Sequence, residues 1–251
     1  MHRFFADENN ILENEKIILD DSEDVKHILK VLRLNEGDQI EVCDGKNHDY
    51  IGKIISLSKK KIELKIIEKK TSLTESNIEV TLFQGIPKGS KMELIIQKCT
   101  ELGIFSVVPV ITNRTIVQLK DQKSEEKKVE RWQKISNEAA KQCKRGVIPK
   151  IENPIFFEEL LKQLYEYDLC IVPYEKEKQV GLKEVFKKYK DVKKIAIFIG
   201  PEGGFEEEEI YKLKEESAIS ISLGKRILRT ETAGFVTLGI CMYELGDLGG
   251  R

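Results

Sequence analysis

Five short apolar runs, rich in valine and isoleucine, follow one another from residue 78 onward and constrain the fold more than any other feature. They read, in chain order, IEVTLFQGI, FSVVPVIT, DLCIVPY, KIAIFIG and AISISLG. Helical stretches separate them. In one, SKMELIIQKCTELG, apolar residues recur on a single face: Met92, Ile95, Ile96, Cys99 and Leu102. Near-continuous apolar strands that alternate with amphipathic helices predict an α/β domain, with a parallel sheet covered on both faces.

The first 70 residues have a different rhythm. DQIEVCDG alternates apolar and polar residues and ends in a turn, and DYIGKIISLSKKKIELKIIEKK predicts two strands joined by a lysine-rich turn. Val25, Ile28, Leu29 and Leu32 recur at helical spacing after a possible cap in residues 20–22. This pattern favours a small β-barrel or a compact α+β module. Because the segment KKTSLTESN is polar and a poor helix former, we place the domain boundary in it, giving domains 1–72 and 73–251.

Composition limits the class of protein. The chain has 251 residues and a net charge of −1, so any signal for nucleic acid must be local. The five cysteines are odd in number and far apart, which favours a reducing compartment and gives no zinc motif. MHRFFADENN lacks the apolar core of a signal peptide, and no apolar run is long enough to cross a membrane. We therefore expect a cytoplasmic protein with no membrane partner and no metal.

Three of the strand ends are unusual. Ligands of parallel sheets bind beyond the carboxyl ends of the strands, where this chain has IVPYE, IGPEGGF and LGKRILRTETA. Gly200, Gly203 and Gly204 allow sharp turns and close approach of a ligand to the backbone. The chain has no Walker motif, and Glu202 with the glutamates 206–209 would repel a polyphosphate. These loops predict a neutral or cationic ligand that is bound by backbone groups.

Four motifs in order carry a resemblance: KGSKMELIIQKCTELG, RWQKISNEAAKQCKRGVIPKI, IGPEGGF and LGKRILRTETA. Together they resemble the RsmE family of SPOUT methyltransferases, and HRFF and HILKVLR fit the PUA-like β-barrel at the amino end of that family. The resemblance implies a SPOUT-type parallel sheet with a carboxyl-terminal trefoil knot, preceded by the small barrel, in a homodimer. It implies an enzyme that uses S-adenosyl-methionine to methylate N3 of one uridine in 16S ribosomal RNA of the small ribosomal subunit.

The same resemblance implies where the cofactor binds. Leu223, Ile227 and Leu228 would enclose the adenine, and Gly224 would let the backbone come close. The full set of residues implied for the cofactor is Pro173, Ile199, Gly200, Glu202, Gly203, Leu223, Gly224, Ile227, Leu228, Thr230 and Ala233.

Arg229 and Glu231 would lie at the mouth of that site as the catalytic residues. N3 of uracil carries a proton that must leave, and all three histidines lie in the first module, so histidine is not expected as the base. Either the Glu231 carboxylate takes the proton or an arginine stabilises the anionic uracil, and the sequence does not choose between them.

Cations predict the RNA-binding surface. Residues 120–150 hold ten Lys and Arg against five Asp and Glu, and Glu138, Gln142 and Arg145 have the spacing of one helix face. In the first module, His27, Lys30 and Arg33 share a helix face. The predicted RNA-binding residues are Arg3, His27, Lys30, Arg33, Glu138, Gln142 and Arg145.

Two alternatives to the methyltransferase remain open. One is a non-catalytic RNA-binding or ribosome-assembly protein on the same SPOUT scaffold; such a protein would be expected to lose the intact cofactor motifs that this chain retains. The other is a nucleotide-dependent α/β enzyme, which the missing phosphate-binding loops disfavour.

Overall fold

The computed structural model describes residues 2–12, 15–116 and 122–250, so two residues of the charged stretch, 120 and 121, lie outside the described part of the chain. Backbone contacts divide the chain into two units. The N-terminal unit comprises Met1–Glu75 together with Ala140–Ile148, and the α/β unit comprises Ser76–Ala139 together with Pro149–Arg251. No sequence signal predicted that residues 140–148 belong to the N-terminal unit.

The N-terminal unit is built on a six-stranded sheet. Its strands are β1 (Arg3–Phe5), β2 (Ile11–Leu12), β3 (Lys16–Leu19), β4 (Gln39–Cys43), β5 (His48–Leu57) and β6 (Ile62–Thr71). The order across the sheet is β1-β4-β5-β6-β3-β2, with β1 parallel to β4 and the other pairs antiparallel. Alternate residues are buried in β3, where Ile17 and Leu19 enter the core.

The helical segment of this unit differs from the single helix predicted. The Asp21 carboxylate caps α1 (Ser22–Lys26) by accepting from the backbone N–H groups of Glu23 and Asp24. A π-helical turn, His27–Leu32, follows, and Arg33 ends it with a left-handed φ of 52°. Val25 and Ile28 are buried as the helical spacing predicted. The wider π-turn changes the phase of the residues that follow, which a 3.6-residue period does not predict.

The α/β unit has seven parallel strands. They are β7 (Glu79–Gly85), β8 (Ser106–Ile111), β9 (Lys150–Ile151), β10 (Ile155–Phe156), β11 (Leu169–Pro173), β12 (Lys194–Ile199) and β13 (Ile219–Ile221). The main order is β10-β8-β7-β12-β11-β13, and β9 pairs with β8. All five predicted strands are confirmed, and so is the parallel sheet. The two-residue strands β9 and β10 were not predicted, because pairs this short carry no periodic signal.

Helices cover this sheet. They are α2 (Lys91–Glu101), α3 (Gln122–Gln142), α4 (Phe157–Leu161), α5 (Leu182–Lys188), α6 (Glu207–Glu215) and α7 (Thr230–Glu244). The predicted apolar face of α2 is confirmed, with Met92, Ile95, Ile96 and Cys99 buried. Helix α7 packs against α2 and against strands β12 and β7. These contacts hold α7 against β12, one of the strands whose ends form the site.

The cysteines belong to the packing. Cys43, Cys99, Cys170 and Cys241 are buried and form no disulfide, and burial raises the pKa of each thiol to about 12. Thiols with such pKa values stay protonated at neutral pH, so they are poor nucleophiles and poor metal ligands. Cys143 is half-buried, and its thiol donates to the Ala140 carbonyl at 3.9 Å.

Candidate active site

Three neighbouring strands, β11, β12 and β13, end at the same edge of the parallel sheet. The segments that follow them, together with the start of α7, surround a cavity of about 570 Å³. All eleven residues predicted to bind a cofactor line this cavity, and so do Arg229 and Glu231. The structure therefore brings together a set of residues that spans positions 173 to 233.

The loop after β12 makes the tightest part of the wall. A Cβ atom on Gly200 would lie 2.8 Å from the carbonyl carbon of Gly204 and 3.0 Å from the backbone nitrogen of Phe205. Gly204 has a left-handed φ of 68°, and its N–H donates to the Pro201 carbonyl at 2.9 Å. Because the loop folds back on its own backbone, glycine is required at both positions.

A second close approach joins this loop to the end of β7. A Cβ atom on Gly85 would lie 2.6 Å from both the nitrogen and Cδ of Pro201. Strand β7 neighbours β12 in the sheet, so the two strand ends meet backbone to backbone. Gly85 was not among the residues predicted from the sequence.

Glu202 was predicted to bind the cofactor, but its carboxylate is engaged by the protein. Its Oε1 accepts from the Lys88 N–H at 3.0 Å and from Lys91 Nζ at 2.8 Å. Burial alone would raise the pKa of Glu202, but these hydrogen bonds and the Lys91 charge outweigh it and hold the pKa below its usual range. The contact ties the loop after β12 to the connection between β7 and α2.

Arg114, in the connection after β8, holds the same loop from another side. Its Nη1 donates to the Gly203 carbonyl at 2.7 Å. A Cβ atom on Gly203 would lie 3.3 Å from Cβ and Cδ of Arg114, so a side chain there would press first on this arginine. Two separate connections thus fix two successive residues of the loop.

A buried polar chain lies beneath the cavity. Gln84 is fully buried, and its Nε2 donates to the hydroxyl of Thr230 at 2.9 Å. The Thr230 hydroxyl in turn donates to the Gly200 carbonyl at 2.6 Å. Because Thr230 is the first residue of α7, the chain fixes the start of that helix against the glycine loop.

The connection from β13 to α7 forms the outer wall of the cavity. Leu223 and Leu228 are half-buried, whereas Ile227 is 87% exposed. Gly224 has a left-handed φ of 103°, and a Cβ atom on it would have no neighbour within 4 Å, so the backbone turns outward there. Ile227 therefore lines the rim of the cavity and not an enclosed surface.

Two charged groups at the mouth lack partners within the described residues. Arg229 is exposed and forms no ion pair in that part of the chain. The Oε2 atom of Glu231 is buried and receives no hydrogen bond from any described residue. A buried carboxylate oxygen without a donor is costly in a folded protein, which indicates a ligand or a bound water at this point.

Several residues of the cavity wall were missed at the level of the sequence. Tyr174 and Glu175 directly follow β11, and Lys91, Pro201 and Ser222 also line the wall. The Glu175 carboxylate oxygens lie 3.8 Å from the Cβ position of Gly204. The strand end IVPYE was noted as unusual, but only its Pro173 was predicted to bind the cofactor; because this third strand ends at the same edge, Glu175 also reaches the site.

Two of the predicted RNA-binding residues are buried in the N-terminal unit. The side chain of Arg3 is 4% exposed, forms ion pairs with Asp49 at 2.7 Å and Glu41 at 3.2 Å, and donates to the Arg145 carbonyl. Arg145 is 6% exposed, and its Nη2 donates to Glu75 Oε2. These placements give no support to phosphate contacts by either arginine.

The predicted helix face of Glu138, Gln142 and Arg145 is wrong at its last member. Helix α3 ends at Gln142, and Lys144 adopts a left-handed φ of 60°, so Arg145 turns inward. Glu138 and Gln142 are exposed. His27, Lys30 and Arg33 are exposed in the N-terminal unit; their contact with RNA, like that of Glu138 and Gln142, stays a prediction.

The described residues contain no group of three or more His, Cys, Asp or Glu side chains arranged to hold a metal ion. Within the same residues, no helix combines the length and the hydropathy that a membrane span requires.

Comparison with known proteins first gives the class. The family described as RNA methyltransferase domain matches residues 74–242, and the one described as RNA methyltransferase PUA domain matches residues 19–67. The chain, with its parallel α/β unit and the cavity at its strand ends, therefore belongs to the class of RNA methyltransferases.

Individual relatives are more specific. Ribosomal RNA small subunit methyltransferase E of Bacillus subtilis (strain 168) is 38% identical over 226 residues, which is 88% of each chain. The protein of the same name from Mesomycoplasma hyopneumoniae (strain 232) is 32% identical and covers 97% of this chain and 100% of its own. The chain belongs to the ribosomal RNA small subunit methyltransferase E family, and the predicted resemblance to the RsmE family is confirmed.

A solved structure agrees with this. The crystal structure of a ribosomal RNA small subunit methyltransferase E from Neisseria gonorrhoeae, bound to S-adenosyl methionine, has 30% sequence identity and a TM-score of 0.88 over 99% of both chains.

Proposed function

We propose that this protein is an S-adenosyl-methionine-dependent methyltransferase that methylates N3 of a uridine in 16S ribosomal RNA of the small ribosomal subunit. The observation that carries the proposal is the cavity at the ends of β11, β12 and β13, which all thirteen cofactor and catalytic candidates line. The similarity to the Neisseria gonorrhoeae protein, whose structure holds S-adenosyl methionine, supports the same cofactor here.

The chemistry of the cavity fits this cofactor. A volume of about 570 Å³ lies within the range of about 300–1,000 Å³ that is usual for small-molecule sites. S-adenosyl-methionine carries positive charge, and the wall offers the carboxylates of Glu175 and Glu231, the latter with an oxygen that has no donor among the described residues. The cofactor would be held by the glycine loop 200–204 and by Leu223, Gly224 and Leu228 in the connection before α7, and when bound it supplies an electrophilic methyl group.

Two side chains at the mouth have separate roles in the reaction. Glu231, with its buried acceptor oxygen, takes the proton from N3 of uracil. Arg229, exposed at the rim, places its positive charge beside the uracil anion that forms. The paired carboxylate of Glu202 is excluded from this chemistry by its contacts to Lys88 and Lys91, and it acts as a support for the loop.

The test of the function is the modification itself. We expect 16S ribosomal RNA from cells that lack the gene to gain one methyl group on one uridine after incubation with the purified protein and S-adenosyl-methionine. Mass spectrometry of nuclease digests, compared with an N3-methyluridine standard, measures the product. RNA that is bound but never methylated would point instead to the non-catalytic RNA-binding or assembly protein.

Gly200 gives a prediction for cofactor binding. In Gly200→Ala, the new Cβ would meet the Gly204 backbone at 2.8 Å and displace the loop, so we expect affinity for S-adenosyl-methionine to fall by at least about tenfold. Titration calorimetry without divalent metal measures it. Gly181→Ala is the matched control, because no atom lies within 4 Å of that Cβ position. Unchanged affinity in the Gly200 variant would remove this loop from the cofactor site.

We also propose the finer features of the fold that the family implies. The Ser222 N–H donates to the Val180 carbonyl at 2.8 Å, and the chain then returns to α7, which packs on α2 and β12. These contacts support a trefoil knot of the SPOUT type. The six-stranded sheet supports a PUA-like barrel in domain 1–72, followed by the methyltransferase domain 73–251. An experimental structure in which residues 222–229 pass outside the loop before α5 would contradict the knot.

The homodimer is proposed on the exposed face of α7. Phe235, Val236 and Ile240 are only half-buried, and Tyr243 is 63% exposed, an apolar surface that a second copy would cover. We expect light scattering to give twice the chain mass of 28.9 kDa. Gly239→Arg should give the single-chain mass, because nothing lies within 4 Å of its Cβ position in one chain but a partner would be met. Glu130→Arg, on the exposed surface of α3, should stay dimeric.

A further inference from the structure

We propose that Lys225, Arg226 and Ile227, here called the rim tip, form a surface that binds the RNA substrate beside the active site. The inference rests on the proposed function and adds a binding surface to it. These three residues occupy the outermost part of the connection between β13 and α7, and all three are exposed.

Arginines without ion-pair partners among the described residues concentrate at the rim tip and next to it. The part of the chain that the structure describes holds seven arginines, and four of them form ion pairs: Arg3, Arg114, Arg131 and Arg145. The other three are Arg33, Arg226 and Arg229, so two of the three lie in this one connection. Lys225 also forms no ion pair with a described residue. A chain of net charge −1 thus places accessible positive charge at the rim of its cavity.

The cavity and its rim carry charges of opposite sign. The wall holds the carboxylates of Glu175 and Glu231, which suit a cationic cofactor and repel phosphate. The rim tip is positive at the entrance to the same cavity. A polyanion is therefore attracted to the entrance and kept from the interior, which is what an enzyme that binds a cationic methyl donor and an RNA needs.

Ile227 adds an apolar group to this positive surface. Its side chain is 87% exposed beside two cations. An isoleucine in this position forgoes the favourable free energy that burial of its apolar surface would give. Recognition of unpaired RNA combines cations on phosphates with flat or apolar side chains against splayed bases. Gly224, with φ of 103° and open space around it, turns the backbone so that the tip projects outward. Lys225 and Arg226 would contact phosphates, and Ile227 would pack against a base.

The burial of Arg3 and Arg145 strengthens this assignment. Both were predicted to hold phosphates, but both lie in ion pairs inside the N-terminal unit. A cation can contact phosphate only where it is exposed, and the rim tip supplies exposed cations at the entrance to the cavity.

The test measures RNA affinity and needs no turnover. The full chain is titrated with protein-free 16S ribosomal RNA at several salt concentrations, and Lys225→Ala/Arg226→Ala is compared with the wild type. The slope of log affinity against log salt should fall by about 0.7–0.9 for each phosphate that the variant no longer binds. Ile227→Ser should weaken binding and leave the slope unchanged. Cofactor affinity should change less than about twofold in the charge variant, since both residues are exposed at the rim of the cavity.

A matched control removes the same charge elsewhere. Lys187→Ala/Lys188→Ala, on the exposed surface of α5, should leave the slope at the wild-type value. An unchanged slope in the rim-tip variant, an equal fall in the control, or a wild type that fails to bind this RNA would each overturn the rim tip. Methylation by the wild type separates the two proposals: a protein that methylates while the rim-tip variant keeps its slope retains the function and loses only this surface.

Discussion

Replacing Arg229 by alanine should slow methyl transfer in a single turnover by about 10²–10³-fold, the usual cost of removing one well-placed electrostatic donor. Arg229 lines the cavity, is exposed at its mouth and has no ion-pair partner among the described residues. Its charge is therefore free to act on the anion that forms when uracil loses the N3 proton. The structural role of Arg229 lies in its backbone and not in its side chain. Its carbonyl accepts from the Ala233 N–H at 2.8 Å and so begins α7. An alanine keeps that bond.

Rapid-quench measurement at saturating RNA and cofactor isolates this effect from binding. Arg226→Ala is the informative comparison: we expect it to weaken RNA binding and to reach the wild-type rate once the RNA is saturating. Glu231→Gln keeps the shape of the side chain and removes the base, so its single-turnover rate at saturating cofactor should fall. Full-rate turnover by Arg229→Ala would take this residue out of the chemistry and leave Glu231 as the remaining candidate.

The pattern of the sequence was sufficient to predict the α/β unit. Strands such as β12, with Ile195, Ala196, Ile197 and Phe198 fully buried, are apolar along their whole length because helices cover both faces of the sheet. Once the strands are placed, the rule that their carboxyl ends share one edge brings the loops at 200 and 223 together. That is why the cavity residues were predictable although they are distant in sequence.

Contacts between distant residues were not predictable in the same way. Glu202 reads as a free acid in the sequence, but its partner Lys91 lies 111 positions away. Gly85 reads as the end of a strand, and only the fold places it against Pro201. In each case a local pattern gives the residue type and the conformation, whereas its partner depends on which elements become neighbours.

The cations of the N-terminal unit also depend on contacts that the sequence does not show. Here a residue that was expected to be exposed is buried. An arginine in a charged stretch is most often exposed, and Arg145 was interpreted as one more residue on a helix face. A single left-handed residue, Lys144, ends that continuity and turns Arg145 into the core of the unit. No periodic pattern in the sequence signals one such residue.

This burial leads to the second large effect. Glu75→Ala should lower the free energy of unfolding of the N-terminal unit by about 3–5 kcal/mol. The variant leaves the buried Arg145 charge without this carboxylate to compensate it. Glu75 Oε1 also accepts from Arg145 Nε at 3.3 Å, from the Gly146 N–H at 2.8 Å and from the Val147 N–H at 3.2 Å. One carboxylate therefore fixes the whole segment 145–147 to the rest of the unit.

Hydrogen exchange of the amides in β4, β5 and β6, followed by mass spectrometry, measures the opening of this unit separately from the α/β unit. Glu75→Gln keeps an acceptor oxygen and should lose less stability than Glu75→Ala. Glu8→Ala is the control for an exposed pair, since Glu8 and its partner Lys46 are more than half exposed, and it should leave exchange nearly unchanged. Arg145→Ala decides between the two roles of the arginine. A structural role predicts faster exchange in β4–β6, whereas wild-type exchange with weakened RNA binding would restore Arg145 as a phosphate contact and refute the buried-pair account.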